Sequence, residues 1–186
     1  MMSKKQKDIL YKAIELFNQF GYASVGIDRI ISESKVAKMT FYKYFPSKDN
    51  LITECLLERD RLIRESIQSS LEENQDSYFK LKTIFDWFEK WFYQEDFHGC
   101  MFIKALDELP HHPDSQTISK AHKQWLTDTI EQLLQEMNVV DNHKLAIQIR
   151  LLLDGAIIHE QLFKDYQAIT FAWDVVAAML SHATIS

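Results

Sequence analysis

Glycine and proline are scarce in this chain: four and three among 186 residues. So few turn-formers disfavour an architecture of short strands and tight turns and favour long helices with few breaks. No apolar run is long enough to span a bilayer. The N-terminal Met1-Met2-Ser3-Lys4-Lys5 leads into a charged amphipathic stretch rather than the apolar core of a signal peptide. A soluble, cytoplasmic protein is the expectation. Cysteine is limited to Cys55 and Cys100, too few and too far apart for a disulfide framework or a thiolate zinc site. Gly-rich phosphate loops, metal-ligand spacings and nucleophile motifs are also missing, so no catalytic residue, metal or cofactor is expected. Cys100, beside Gly99, is the one conceivable nucleophile or redox sensor.

What the chain does have is unevenly distributed. The net charge is −6. Residues 1–50 hold nine basic and five acidic side chains, a balance of +4 that leaves −10 for the rest. A basic head on an acidic body suits a polyanion-binding module joined to a part that must not bind polyanions. Small domains also differ by a few charges at random, so charge alone decides nothing.

The head reads as three helices. Ile9, Leu10, Ala13, Ile14, Phe17 and Phe20 recur at three- and four-residue spacing over residues 4–20 and form one apolar stripe. Gly21 supplies a stop. A short second helix carries Ile27, Ile30 and Ile31, with Asp28 at its positive end. Ser34–Ala37 makes a turn with Val36 as its buried plug. The third helix spans Lys38–Phe45, where Phe41 and Phe45 point inward and Thr40, Lys43 and Tyr44 point elsewhere. Pro46 ends it, because proline drives the preceding residue out of helical geometry. Ser47 can cap the next helix, which runs to about Leu71.

Two short helices joined by a four-residue turn make a helix-turn-helix. Lysine, tyrosine and threonine on its second helix suit a phosphate backbone and a groove edge. The run Thr40-Phe41-Tyr42-Lys43-Tyr44-Phe45-Pro46-Ser47-Lys48, with Phe17-Asn18-Gln19-Phe20-Gly21-Tyr22 upstream, resembles the DNA-binding domain of the tetracycline-repressor (TetR) family of bacterial regulators. The resemblance covers about the first 55 residues. Three positions depart from the family pattern. Lys35 replaces a turn glycine, Ala37 replaces a capping serine and Met39 replaces a glycine near the helix start. A lost cap costs about 1 kcal/mol.

The resemblance implies an all-α protein of about nine helices. A three-helix DNA-binding domain would occupy residues 1–50, and a helical ligand-binding and dimerisation domain residues 51–186. It implies that Thr40 and Tyr42 touch DNA backbone or base edges and that Tyr44 and Lys48 touch phosphate. Lys38, Met39 and Lys43 are groove candidates by position and type. It also implies a ligand cavity. Ten aromatics lie within residues 78–102, and such side chains can line an apolar pocket or simply pack a core. The expected ligand residues are Phe88, Trp91, Phe92, Phe102, His122 and Trp125. The His111-His112 pair, bracketed by Pro110 and Pro113, reads as a surface loop.

The last two helices, about residues 141–163 and 168–182, are too apolar for the surface of a monomer. In the family, two such helices per chain form a four-helix dimer bundle. A two-fold dimer would set two recognition helices roughly 34 Å apart, or a multiple, on a near-palindromic operator. The fourth helix, shared by both parts, would act as a lever. The implied function is a ligand-responsive transcriptional regulator, a repressor released from operator DNA by a largely apolar small-molecule inducer. The alternatives are a non-specific architectural DNA binder and an enzyme using the aromatic pocket.

Overall fold

A computed structural model describes residues 2–183, with the side chains of residues 182 and 183 outside the description. Among the described residues the secondary structure is entirely helical. The helices are α1 (Lys4–Phe20), α2 (Ile27–Ser34), α3 (Lys38–Tyr44), α4 (Lys48–Leu71), α5 (Ser77–Phe92), α6 (Met101–Glu108), α7 (Ser115–Glu136), α8 (Asn142–Phe163) and α9 (Ala168–Ala183). None is long and apolar enough to cross a membrane. The chain groups into two compact units, Met1–Ile63 with Cys100–His122 and Arg64–Gly99 with Lys123–Ser186.

In the first unit, α1 starts where Ser3 Oγ accepts the Gln6 N–H at 3.2 Å. It buries Ile9, Leu10, Ala13, Ile14, Leu16 and Phe17. Phe20 departs from the expected stripe: it lies exposed with the Arg29 guanidinium 4.0 Å from its ring centre. As the last residue of α1 it has no following turn to pack beneath, and the cation covers its face instead. Gly21 closes the helix with its N–H on Phe17 O at 3.0 Å. Its φ of 81° and ψ of 166° lie beyond the left-handed helical well, in a region that only glycine occupies freely. Tyr22 then turns fully inward and donates its hydroxyl to Met101 O at 3.1 Å.

The turn after α2 is closed by Lys35 at φ 55°, ψ 38°, with Val36 N–H reaching back to Ile31 O. This is a helix C-terminus of the kind glycine usually makes, built here on a lysine. Val36 is half-buried rather than the expected plug, and so are Ile27 and Ile31. Ile30, Phe41 and Phe45 carry the buried contacts of this region. Burial of each phenylalanine contributes roughly 1.5–3 kcal/mol. α3 ends at Tyr44, one residue before the expected boundary, because Pro46 holds Phe45 in extended geometry at φ −130°, ψ 96°. Ser47 caps α4 as expected, accepting the Asn50 N–H at 3.0 Å.

In the second unit, Asp76 caps α5 by accepting the N–H groups of Tyr78 and Phe79 at 2.9 and 3.2 Å. α5 buries Leu81, Ile84, Phe85, Phe88, Trp91 and Phe92 and packs on α8 and α9. α8 and α9 pack on each other; α8 buries Leu145, Ile149, Leu153, Ala156 and Ile157, and α9 buries Ala172, Val176 and Leu180. Asp154 of α8 joins Lys123 and Arg150 in a half-buried ion network at 2.5 Å to each.

Candidate nucleic-acid interface

α3 has two faces. Phe41 and Phe45 hold it to the head from beneath, both fully buried and 6.1 Å apart between ring centres. On the outer side Lys38, Met39, Tyr42 and Lys43 are exposed, Met39 at 83 % and Tyr42 at 40 %. Residues three and four apart are neighbours on a helix. Lys38 with Tyr42, and Met39 with Lys43, therefore form two adjacent rows. The Tyr42 ring meets Phe41 edge-on at 5.3 Å, which anchors its base while the hydroxyl end faces water. Lys43 lies with its ammonium 5.8 Å from the Tyr44 ring centre. Lys38 makes only a long, exposed contact with Asp28 at 3.5 Å, a pair of negligible strength in water. Its charge is available to another anion.

Thr40 and Tyr44 are half-buried on the flanks of α3. Lys48 is different from the other lysines. It is half-buried and donates to Tyr22 O at 2.6 Å, and burial pulls its ammonium below the usual lysine range. Its side chain therefore braces the corner between α1 and α2. Of the seven expected DNA residues, four share the exposed face, Thr40 and Tyr44 flank it, and Lys48 opens α4.

Two further ties in this unit were not visible in the sequence. Lys104 of α6 donates to Asn18 O at 2.6 Å, and Ala23 N–H donates to Glu108 Oε2 at 2.9 Å. Each pairs an α6 side chain with a backbone group more than eighty residues away, so no local pattern announces them.

The expected ligand residues divide between the units. Phe88, Trp91 and Phe92 are buried in the second unit and pack edge-on or tilted against one another, with Phe97 4.9 Å from Trp91 and 5.0 Å from Phe92. Trp125, also there, is half-buried under the Arg64 guanidinium at 5.0 Å. In the first unit Phe102 stacks on His122 with ring centres 3.8 Å apart, and His122 Nδ1 lies 2.7 Å from Asp60. An open cleft between α5 and α9 lies elsewhere, lined by Lys82, Phe85, Asp86, Glu89, Ile169 and Trp173. None of the six expected residues lines it.

His111 is exposed, in keeping with a surface loop, whereas His112 is buried and fully engaged. The described residues hold no group of three His, Cys, Asp or Glu side chains placed to bind a metal. Both cysteines are buried, and burial pushes the Cys55 thiol well above its ordinary range.

The helix-turn-helix geometry coincides with a family pattern. Residues 9–55 match the domain described as bacterial regulatory proteins, tetR family. A solved TetR-family regulator from Streptomyces coelicolor, SCO4454, superposes with a TM-score of 0.90 at 28 % identity, over 96 % of this chain and 95 % of that one.

Residues 9–55 form a TetR-family DNA-binding domain, and the chain as a whole takes the fold of a TetR-family regulator.

Two relatives in Bacillus subtilis (strain 168) extend the comparison. The uncharacterised regulator YuxN is 44 % identical over 55 residues, 30 % of this chain and 19 % of that protein. The regulator LmrA is 28 % identical over 134 residues, 70 % of this chain and 71 % of that protein. The match to YuxN, and that to YxaF at 38 % of its length, covers less than half of those relatives. The fold extends over the whole chain, as a TM-score of 0.83 with the reduced form of Escherichia coli NemR at 16 % identity also shows.

Proposed function

We propose that this protein is a dimeric, ligand-responsive repressor of the TetR family that binds a near-palindromic DNA operator and leaves it when a largely apolar small molecule binds. Residues 1–50 serve DNA and residues 51–186 serve ligand binding and dimerisation. The observation that carries the reading is the outer face of α3. A helix anchored by two buried phenylalanines presents Lys38, Met39, Tyr42 and Lys43 to solvent, with the dimensions and chemistry of an element that enters a major groove. In this reading Lys38 and Lys43 neutralise phosphate or reach base edges, and Met39 meets apolar base edges such as a thymine methyl. Tyr42 on the outer face and Thr40 on the flank hydrogen-bond to the DNA backbone or base edges, and Tyr44 reaches phosphate from the flank. Lys48 approaches phosphate at the start of α4, where the helix N-terminus adds its own attraction.

Dimerisation through α8 and α9 is supported by an apolar stripe. Leu151, Ile158 and Leu162 on α8 and Phe171 and Val175 on α9 are between 47 % and 70 % exposed. Their spacing of seven and four residues on α8 keeps them in one row. An inducer lodged among the aromatic side chains dissociates the complex only if it binds the DNA-incompetent state more tightly than the competent one. Operator titrations with and without a panel of apolar compounds test this. Falling affinity with added compound supports the switch, and an affinity that no compound changes refutes it.

A further inference from the structure

His112 sits in the loop between α6 and α7 and is 9 % exposed. Its Nδ1 faces two backbone donors, the N–H of Asp114 at 3.3 Å and of Ser115 at 3.2 Å. An imidazole nitrogen that receives two N–H groups must use its lone pair and carries no proton. The proton therefore sits on Nε2, which lies 3.0 Å from the carbonyl oxygen of Asp49 and donates to it. One ring thus does two things. Its Nδ1 edge caps the start of α7, and its Nε2 edge grips the first turn of α4.

That first turn is a sensitive place. Only Phe45, Pro46 and Ser47 separate α4 from α3. Pro46 has a fixed φ, and the Phe45 side chain is fully buried. A rotation of the α4 start therefore passes to α3 with little slack. A second bond reinforces the grip: Thr53 Oγ1, one turn further along α4, donates to Asp114 Oδ2 at 3.0 Å. Leu51 and Ile52 are buried between these two anchors. All of these groups belong to the first compact unit.

The geometry points to His112 as a positioning residue for DNA binding: in its Nε2–H form it fixes the start of α4, and through it the angle at which α3 meets the groove. This rests on the DNA-binding reading given above. His112 touches no DNA itself; it acts through Asp49 O.

Two near-isosteric variants separate the two edges of the ring. His112→Asn keeps an acceptor near the Nδ1 position and loses the donor to Asp49. His112→Gln carries its amide N–H₂ towards the Nε2 position and loses the α7 cap. The probe is the duplex recovered by in vitro selection on the full-length wild-type protein. If wild type selects no duplex, the DNA-binding reading fails before His112 is in question. If it does, His112→Asn should lose melting temperature on the scale of one hydrogen bond and, while still fully folded at the assay temperature, bind that duplex roughly five- to tenfold more weakly. His112→Gln, which loses the α7 cap, should melt at least as low yet hold its affinity closer to wild type. Affinities that simply follow melting temperature in the two variants, or wild-type affinity in His112→Asn, overturn the proposal. Nitrogen-detected NMR of the imidazole gives a check independent of DNA: Nδ1 must show the shift of an unprotonated ring nitrogen, and a proton found on Nδ1 would equally overturn it.

Discussion

Replacing Gly21 with alanine tests how tightly the TetR head is locked at the end of α1. Two costs arise. The first is conformational: φ 81° with ψ 166° is a region that only glycine occupies freely, and holding an L-residue there costs about 1–3 kcal/mol. The second is steric. A Cβ at this position would stand 2.6 and 2.8 Å from the two carboxylate oxygens of Glu108. A flexible side chain can swing away, so the clash itself is cheap. Moving it, however, breaks the 2.9 Å bond from Ala23 N–H to Glu108, worth about 1 kcal/mol at an exposed site. Together the loss is about 2–4 kcal/mol, a large share of the roughly 5–15 kcal/mol that holds a domain folded. Thermal denaturation should show a fall of about 4–16 °C at the scale expected for a chain of this size. Glu108→Ala in the Gly21→Ala background should add little, because the bond is already broken. A loss below about 1 kcal/mol, or full additivity of the two substitutions, would refute this reasoning.

Three further predictions use the same structure. Lys35→Gly relieves a left-handed lysine at φ 55° and should stabilise the protein by about 0.5–1 kcal/mol in urea titration, the conformational strain of an L-residue outweighing glycine's entropy cost. Glu160 is buried and accepts the Tyr166 N–H at 3.0 Å, and desolvation raises its carboxyl above the usual range. Its folded form binds a proton more readily than the unfolded chain, so its contribution is most favourable in acid and is lost as pH rises through the folded pKa. Glu160→Gln, which keeps the acceptor, should therefore be more stable than wild type at pH 7, with the gap closing as pH falls towards 4. Leu162→Glu or Phe171→Glu places a charge in the exposed α8–α9 stripe and should convert a dimer into a folded monomer in sedimentation equilibrium, with unchanged helix content.

The legible parts of this fold were those fixed by short-range rules. The stripe from Ile9 to Phe17, the stop at Gly21, the Pro46 break and the Ser47 cap each follow from the residue and its near neighbours, and each stands in the structure. Phe20 and Val36 were misplaced because both sit at element ends, where periodicity no longer says which side is covered. The α3 face was legible for a similar reason: burying Phe41 and Phe45 forces Met39, Tyr42 and Lys43 outward on a helix of that period. The bracing role of Lys48, the α6 ties to Asn18 and Ala23, and the two-edged use of His112 were not legible. Each joins a side chain to a backbone atom distant in sequence, and backbone atoms leave no residue-specific trace. The aromatic segment announced its burial but not its contacts. Trp91, Phe92 and Phe97 lie within six residues of one another or at helical spacing, so their mutual packing and a ligand-lined cavity share one sequence pattern.

DNase footprinting of the in vitro selected duplex, comparing wild type with Tyr42→Ala/Lys43→Ala, tests DNA recognition by α3 most directly. The account predicts a discrete protected region of two half-sites related by a two-fold axis, about one helical turn or a multiple apart. It also predicts that the double variant, folded as wild type by circular dichroism, loses that protection. Uniform protection without half-sites, or an unchanged footprint with Tyr42 and Lys43 removed, would contradict it.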